Sequence, residues 1–153
     1  MKKVMVFGTF DLLHPGHLNL FKQARKLGDY LVVVVARDKT VIKVKKRKPR
    51  FSERQRLAAI RKTQLADKVI LGHLKNHYQR IIEEKPDIIA LGYDQQNFTQ
   101  ALERKFPAIR IVRLKPYQPE IYKSSIITKA QKHENIKARR INKLFLCFCV
   151  LMF

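Results

Sequence analysis

Residues 1–131 predict an α/β fold in which a parallel five-stranded sheet lies between two helical layers, and three observations carry that expectation. Short apolar runs rich in β-forming residues, such as Val4–Phe7, Tyr30–Ala36 and Asp87–Leu91, are separated by segments of helical periodicity. The second of these runs, YLVVVVA, is apolar throughout, as a strand is when helices cover both faces of its sheet. Strand, helix and second strand are complete within residues 4–36, the compass of a parallel strand–helix–strand unit.

The elements follow in order. Val4–Phe7 is bounded by Gly8, and Asp11–Pro15 reads as a loop. Gly16 opens an amphipathic helix that carries Leu18, Phe21 and Ala24 on its apolar side and ends near Gly28. Gly28-Asp29 turns the chain into the second strand. Thr40–Arg50 (TVIKVKKRKPR) is dense in cations and reads as a mobile basic loop, or in isolation as a solvated charge run. Ser52-Glu53-Arg54-Gln55 carries a capping serine and an acidic first turn, so a helix runs on through Arg56, Leu57, Ile60 and Arg61. Asp67–Gly72 is the third strand with its turn, and His73 and His77 after it read as surface residues. A helix over Tyr78–Glu84 stops at Pro86, and the fourth strand ends at Gly92-Tyr93-Asp94-Gln95. A helix through Leu102 leads to the fifth strand, Ile109–Arg113, and a proline-punctuated loop spans Tyr117–Tyr122. Lys123–Thr128 opens one more helix.

This reading puts Thr9, Asp11, His14 and His17 where the carboxyl end of a strand meets the amino end of a helix. In open parallel sheets that junction binds ligands, and the exposed N–H groups and helix dipole favour phosphate. His14 and His17 straddle a Pro-Gly turn, so both rings could face one anion and donate hydrogen bonds to a developing phosphoryl transition state. A bare His-x-x-His also suits a helix cap and a surface histidine. Zinc is a rival, but no cysteine or third histidine lies nearby to complete a site.

Composition bounds the function classes. The chain has 153 residues, 46% of them hydrophobic, with 33 Lys+Arg against 12 Asp+Glu and a formal net charge of +21. Such a chain is globular and attracts anions: nucleic acid, an anionic membrane surface or highly charged small substrates. The cations are spread along the chain, and no helix-turn-helix or RNA-type aromatic signature accompanies them, so nucleic acid is not the expected partner. Cys147 and Cys149 are too closely spaced for a disulfide, and the first residues already form a strand instead of a signal peptide. A cytoplasmic protein is expected. Residues 132–153 form a basic, then wholly apolar tail, and its ten terminal residues 144–153 are too few to span a bilayer as a helix.

Gly8-Thr9-Phe10-Asp11-Leu12-Leu13-His14-Pro15-Gly16-His17 strongly resembles the signature of the cytidylyltransferase-like nucleotidylyltransferases, whose mark is the His-x-Gly-His element, here His14–His17. The resemblance covers about residues 3–130. It implies a Rossmann-like three-layer sandwich and transfer of a nucleotidyl group from a nucleoside triphosphate to a phosphorylated acceptor, with release of pyrophosphate. It also implies roles for individual residues: His14 and His17 at the α-phosphoryl group, Gly8, Thr9 and Phe10 in backbone contacts, and Lys43 and Lys46 of the basic loop on the phosphates. Arg56 would support the triphosphate, with an exposed helix arginine as the plain alternative. Asp94 would lie near the nucleotide base and ribose or the acceptor, or would cap the following helix. Ser124 and Ser125 resemble the family's second, hydroxyl-rich signature, although Tyr122-Lys123 replaces its glycine-bearing turn. A divalent ion, most simply Mg²⁺, would bridge phosphates, with Asp11 as its one candidate protein ligand.

Three branches share these signatures: glycerol-3-phosphate cytidylyltransferases, sugar-phosphate adenylyltransferases of the heptose type and archaeal-type FAD synthases. Val35–Val41, Arg47-Lys48-Pro49 and Pro86–Gln95 resemble the archaeal-type FAD synthases, which implies AMP transfer from ATP to FMN. Glycerol-3-phosphate cytidylyltransferases, which consume CTP, are the runner-up. Relatives of this kind often pair as homodimers.

Overall fold

A computed structural model of the chain describes residues 1–95 and 99–122. Its elements are β1 (Lys3–Gly8), α1 (Pro15–Arg25), β2 (Tyr30–Val35), α2 (Asp38–Lys45), α3 (Glu53–Lys62), β3 (Lys68–Leu71), α4 (Gln79–Glu84), β4 (Ile88–Leu91), α5 (Thr99–Lys105) and β5 (Arg110–Arg113). The five strands form one sheet in the order β3-β2-β1-β4-β5, every neighbouring pair parallel. The chain therefore winds outward first one way from β1 and then the other. The β1/β4 boundary is the switch point, where a crevice opens at the carboxyl ends of the strands.

Period-two alternation sorts the apolar residues into two cores. Val4, Val6, Leu31, Val33, Val35 and Ala90 face one side and pack with Phe21 and Ala24 of α1 and Ile60 of α3. Met5, Val32, Val34, Ile89 and Leu91 face the other side, against Ile81 of α4 and Leu102 of α5. Both faces are thus covered, which is why β2 can be apolar at every position. The edge strands are short and carry exposed Lys68, Arg110 and Arg113, charges that discourage edge-to-edge pairing. Among the described residues no helix is long and apolar enough to cross a membrane.

Two boundaries differ from the sequence reading for clear reasons. α1 begins at Pro15, because a proline fits the first helical position, where an N–H would lack an intrahelical partner anyway. The larger difference is α2 at residues 38–45, most of which overlaps the basic loop expected from Thr40 onward. Thr40, Val41, Ile42 and Val44 are β-branched and disfavour helix intrinsically. Tertiary contacts reverse that preference. Val41 is buried, the Asp38 N–H donates to Glu53 Oε2 at 2.9 Å, and Lys46 closes the helix in the left-handed region at φ 54°. The basic loop that remains is residues 46–50. By contrast, α3 starts as its sequence indicates, with a full capping box between Ser52 and Gln55.

Candidate active site

The site starts from a close approach at the end of β1. Phe10 takes a left-handed backbone conformation (φ 51°) and folds its ring back over Gly8; a Cβ on Gly8 would lie 2.4–2.8 Å from ring atoms. Only glycine fits beneath that ring. The same ring meets His17 edge-on, centroids 5.2 Å apart at 79°, and packs on Phe21 at 5.1 Å. Phe10 is therefore a buried wedge that sets the position of a histidine, beyond any contact its backbone makes.

His14 is the N-cap of α1, its carbonyl accepting the His17 N–H at 2.8 Å and the Leu18 N–H at 3.3 Å. This first turn brings the two imidazoles together, stacked with centroids 3.7 Å apart and planes 26° apart. Gly16 leaves room for them, since a Cβ there would come within 2.9 Å of the His14 ring and 3.1 Å of the Tyr122 carbonyl oxygen. The Tyr122 ring lies nearly parallel to His14 on the outer side, at 6.5 Å. His14 is only 5% exposed. Burial lowers its pKa to about 4, and burial, then the neighbouring His14, pushes His17 well down too, against a hydrogen bond to the Leu12 carbonyl. Both rings are neutral at physiological pH, ready to gain a proton when a polyanion arrives at the helix mouth.

Around this pair the sequence-predicted residues fall into distinct places. Asp11 ties two segments together: its Oδ2 accepts the Arg50 N–H and its Oδ1 the Phe51 N–H, each at 3.0 Å. Each oxygen thus already accepts one backbone N–H. Among the described residues no three His, Cys, Asp or Glu side chains gather as a metal site. Arg56 is not the exposed helix arginine of the plain alternative. It is 1% exposed, and its guanidinium donates to the carbonyls of Thr9, Phe51 (3.1 Å) and Ala36 (2.8 Å) and pairs with Asp38 Oδ1 at 2.6 Å. Buried polar groups need such partners, and here four protein acceptors claim the side chain. Thr9 thus contributes its carbonyl to a structural tie.

Lys43 and Lys46 are exposed on α2 and at its cap. Lys45, also exposed, is the lysine of α2 whose charge is coupled to site residues. Its ammonium is pushed below its usual pKa by desolvation and by Arg47, while Asp94 and Asp11 pull it back up, and it in turn lowers His17. Its charge is thus felt at Asp11, Asp94 and His17. The signal was the helical period: Lys45 is four residues after buried Val41 and shares its face, whereas Lys43 lies across the helix.

Asp94 is exposed at the carboxyl end of β4, across the switch point from the histidines. Its turn is clamped from both sides. Gln95 Nε2 donates to the Phe7 carbonyl at 2.9 Å, its Oε1 accepts the Gly92 N–H at 3.2 Å, and Arg113 Nη1 reaches the carbonyls of Gly92, Tyr93 and Gln95 at 3.3–3.4 Å. Neither Gln95 nor Arg113 was singled out from the sequence, because each acts through backbone atoms remote along the chain. Ser124, Ser125 and the tail 132–153 lie outside the described residues.

A family model described as cytidylyltransferase-like matches residues 5–143. The chain belongs to that family. Proteins named FAD synthase are among its relatives. The one from Thermoplasma volcanium is 43% identical over 133 residues, which cover 84% of this chain and 93% of that protein. The one from Aciduliprofundum boonei is 43% identical over 121 residues, 76% of this chain and 80% of that protein. A Thermoplasma volcanium crystal structure, described as a lipopolysaccharide core biosynthesis protein, matches with a TM-score of 0.73 and 44% identity over 77% of this chain and 99% of that one. An Archaeoglobus fulgidus protein of unknown function shares the fold, with a TM-score of 0.62 at 19% identity. The protein is a nucleotidyltransferase of the Rossmann-like α/β class.

Proposed function

We propose that the chain is an FMN adenylyltransferase, transferring AMP from ATP to FMN to give FAD and pyrophosphate. The observation that carries the reading is the stacked His14–His17 pair at the mouth of α1, beside the sheet's switch point. The relatives named FAD synthase favour ATP and FMN as its substrates.

In this reading an oxygen of the FMN phosphate attacks the α-phosphorus of ATP in line. A new P–O bond forms, the bond from the α-phosphorus to the bridging oxygen breaks, and pyrophosphate carries away the electron pair. Nothing in that exchange needs a covalent enzyme intermediate, so rate comes from positioning and from donors aimed at the developing charge. His14 and His17 supply those donors. Their neutral state in the free chain follows from burial, and the incoming phosphates raise their proton affinity where charge accumulates. Lys45 takes the part first expected of Lys43 and Lys46, neutralising the departing pyrophosphate. Asp94, on its clamped turn, faces the ribose or base, and Ser124 and Ser125 would complete the phosphate cradle. Mg²⁺ would enter with the nucleotide, as MgATP, and bridge its phosphates.

The test is a pyrophosphate-release screen of ATP and CTP, each against FMN, glycerol 3-phosphate and a sugar phosphate. Turnover with ATP and FMN alone is the expected result. Turnover with CTP and glycerol 3-phosphate would replace the reading with the cytidylyltransferase one.

A further inference from the structure

Two segments nearly forty positions apart in sequence meet beside the histidine pair, and Asp11 joins them. Its carboxylate accepts the consecutive N–H groups of Arg50 and Phe51, one on each oxygen, and the residue is 8% exposed. Arg56 grips the same junction from the other side, donating to Thr9 O on the histidine-bearing loop and to Phe51 O on the basic arm. Pro49 beside the junction is buried, while Lys46, Arg47 and Lys48 between it and α2 are exposed. The arm is therefore pinned at its far end and carried by α2 at its near end, where Lys45 sits.

We infer that Asp11 is a positioning residue: it locks the basic arm to the histidine loop, so that Lys45 and the imidazole pair meet the nucleotide as one preassembled surface. Both Asp11 oxygens accept backbone N–H groups of the arm, and its charge also favours the ammonium form of Lys45. Freeing the arm would leave every contact residue present but let Lys45 wander. Displacement of about 1 Å from a productive geometry costs on the order of 10² in rate. The inference rests on the proposed role of Lys45, and the test separates the two.

The experiment is a double-mutant cycle with Asp11→Ala, Lys45→Ala and the double variant, assayed for kcat, KM for FMN and the Mg²⁺ concentration giving half-maximal rate. The expected result is a fall in kcat of about 10² for each single variant, a double variant about as slow as Asp11→Ala, and KM for FMN unchanged. Asp11→Asn, which retains one acceptor oxygen, falls between wild type and Asp11→Ala and serves if the alanine variant folds poorly. Multiplicative losses would overturn the inference, as would a raised Mg²⁺ requirement in Asp11→Asn with the Lys45 effect intact. Limited trypsin digestion gives a readout independent of Lys45 chemistry. Asp11→Asn should speed cleavage within residues 45–50 and leave other sites unchanged, because cleavage follows local opening. If Lys45→Ala keeps full kcat, the role given to Lys45 fails, and the digestion result alone decides whether Asp11 pins the arm.

Discussion

Asp38 and Glu53 cap each other's helices: the Asp38 N–H donates to Glu53 Oε2 at 2.9 Å, and the Glu53 N–H donates to Asp38 Oδ2 at 3.2 Å. Each is the first residue of its helix, so each carboxylate satisfies an amide that has no intrahelical partner and meets the positive end of the other dipole. Arg37 pairs with Glu53 at 2.9 Å and Arg56 with Asp38 at 2.6 Å, which closes the knot.

The two carboxylates are not equivalent. Glu53→Ala removes a cap and a partly exposed ion pair and should cost about 1 kcal/mol. Asp38→Ala also leaves the buried Arg56 guanidinium without its carboxylate, so about 3 kcal/mol is expected. Urea unfolding followed by far-UV circular dichroism checks the order, and equal losses would show that the Arg56 pairing contributes nothing.

Burial of the histidines makes folding stability depend on pH in a definite direction. In the unfolded chain His14 takes up a proton near 6.5, whereas in the folded chain it does so only near 4. The unfolded state therefore binds more protons between those values, and stability falls as pH drops through the window. The His14 contribution is complete above about pH 6.5 and amounts to on the order of 3 kcal/mol at most. Urea midpoints at pH 7 and pH 4.5 should differ more for wild type than for His14→Asn. Parallel pH profiles would refute the burial argument.

Because the pair is neutral before the nucleotide arrives, binding should draw protons from solution. Titration calorimetry with MgATP at pH 7, in buffers of different ionisation enthalpy, is expected to show net uptake, reduced in His17→Asn. Buffer-independent heats that match between wild type and variant would mean that the phosphates do not reach the rings.

The histidine corner was readable because it is local. A strand ending in glycine, a Pro-Gly pair and a helix follow one another within a single turn of chain, so sequence order and spatial order coincide. α2 was not readable, since its β-branched residues oppose helix and the contacts that override them come from Glu53 and the core around Val41. The choice of Lys45 over its neighbours depends on that helix. The ties made by Arg56 and Asp11 were not readable for a related reason: their partners, mostly backbone groups, are supplied by distant segments. The residues that hold the site in place were thus the ones that sequence spacing alone could not identify.

Phe10 links the glycine signature to the chemistry. Gly8→Ala would drive a methyl into its ring, displacing the wedge against His17, and kcat should fall by about 10². Pairing that change with Phe10→Leu should restore part of the rate, and a Gly8→Ala protein with normal kcat would remove Phe10 from the account.

The imidazole pair itself is tested most directly by single-turnover transfer of AMP from ATP to FMN in His14→Asn and His17→Asn, with folding checked in parallel. Each substitution should slow the chemical step by about 10²–10³ while nucleotide affinity changes little, as for loss of one donor to a transition-state oxyanion. Transfer at the wild-type rate by either folded variant would contradict the assignment of that ring to the reacting phosphorus.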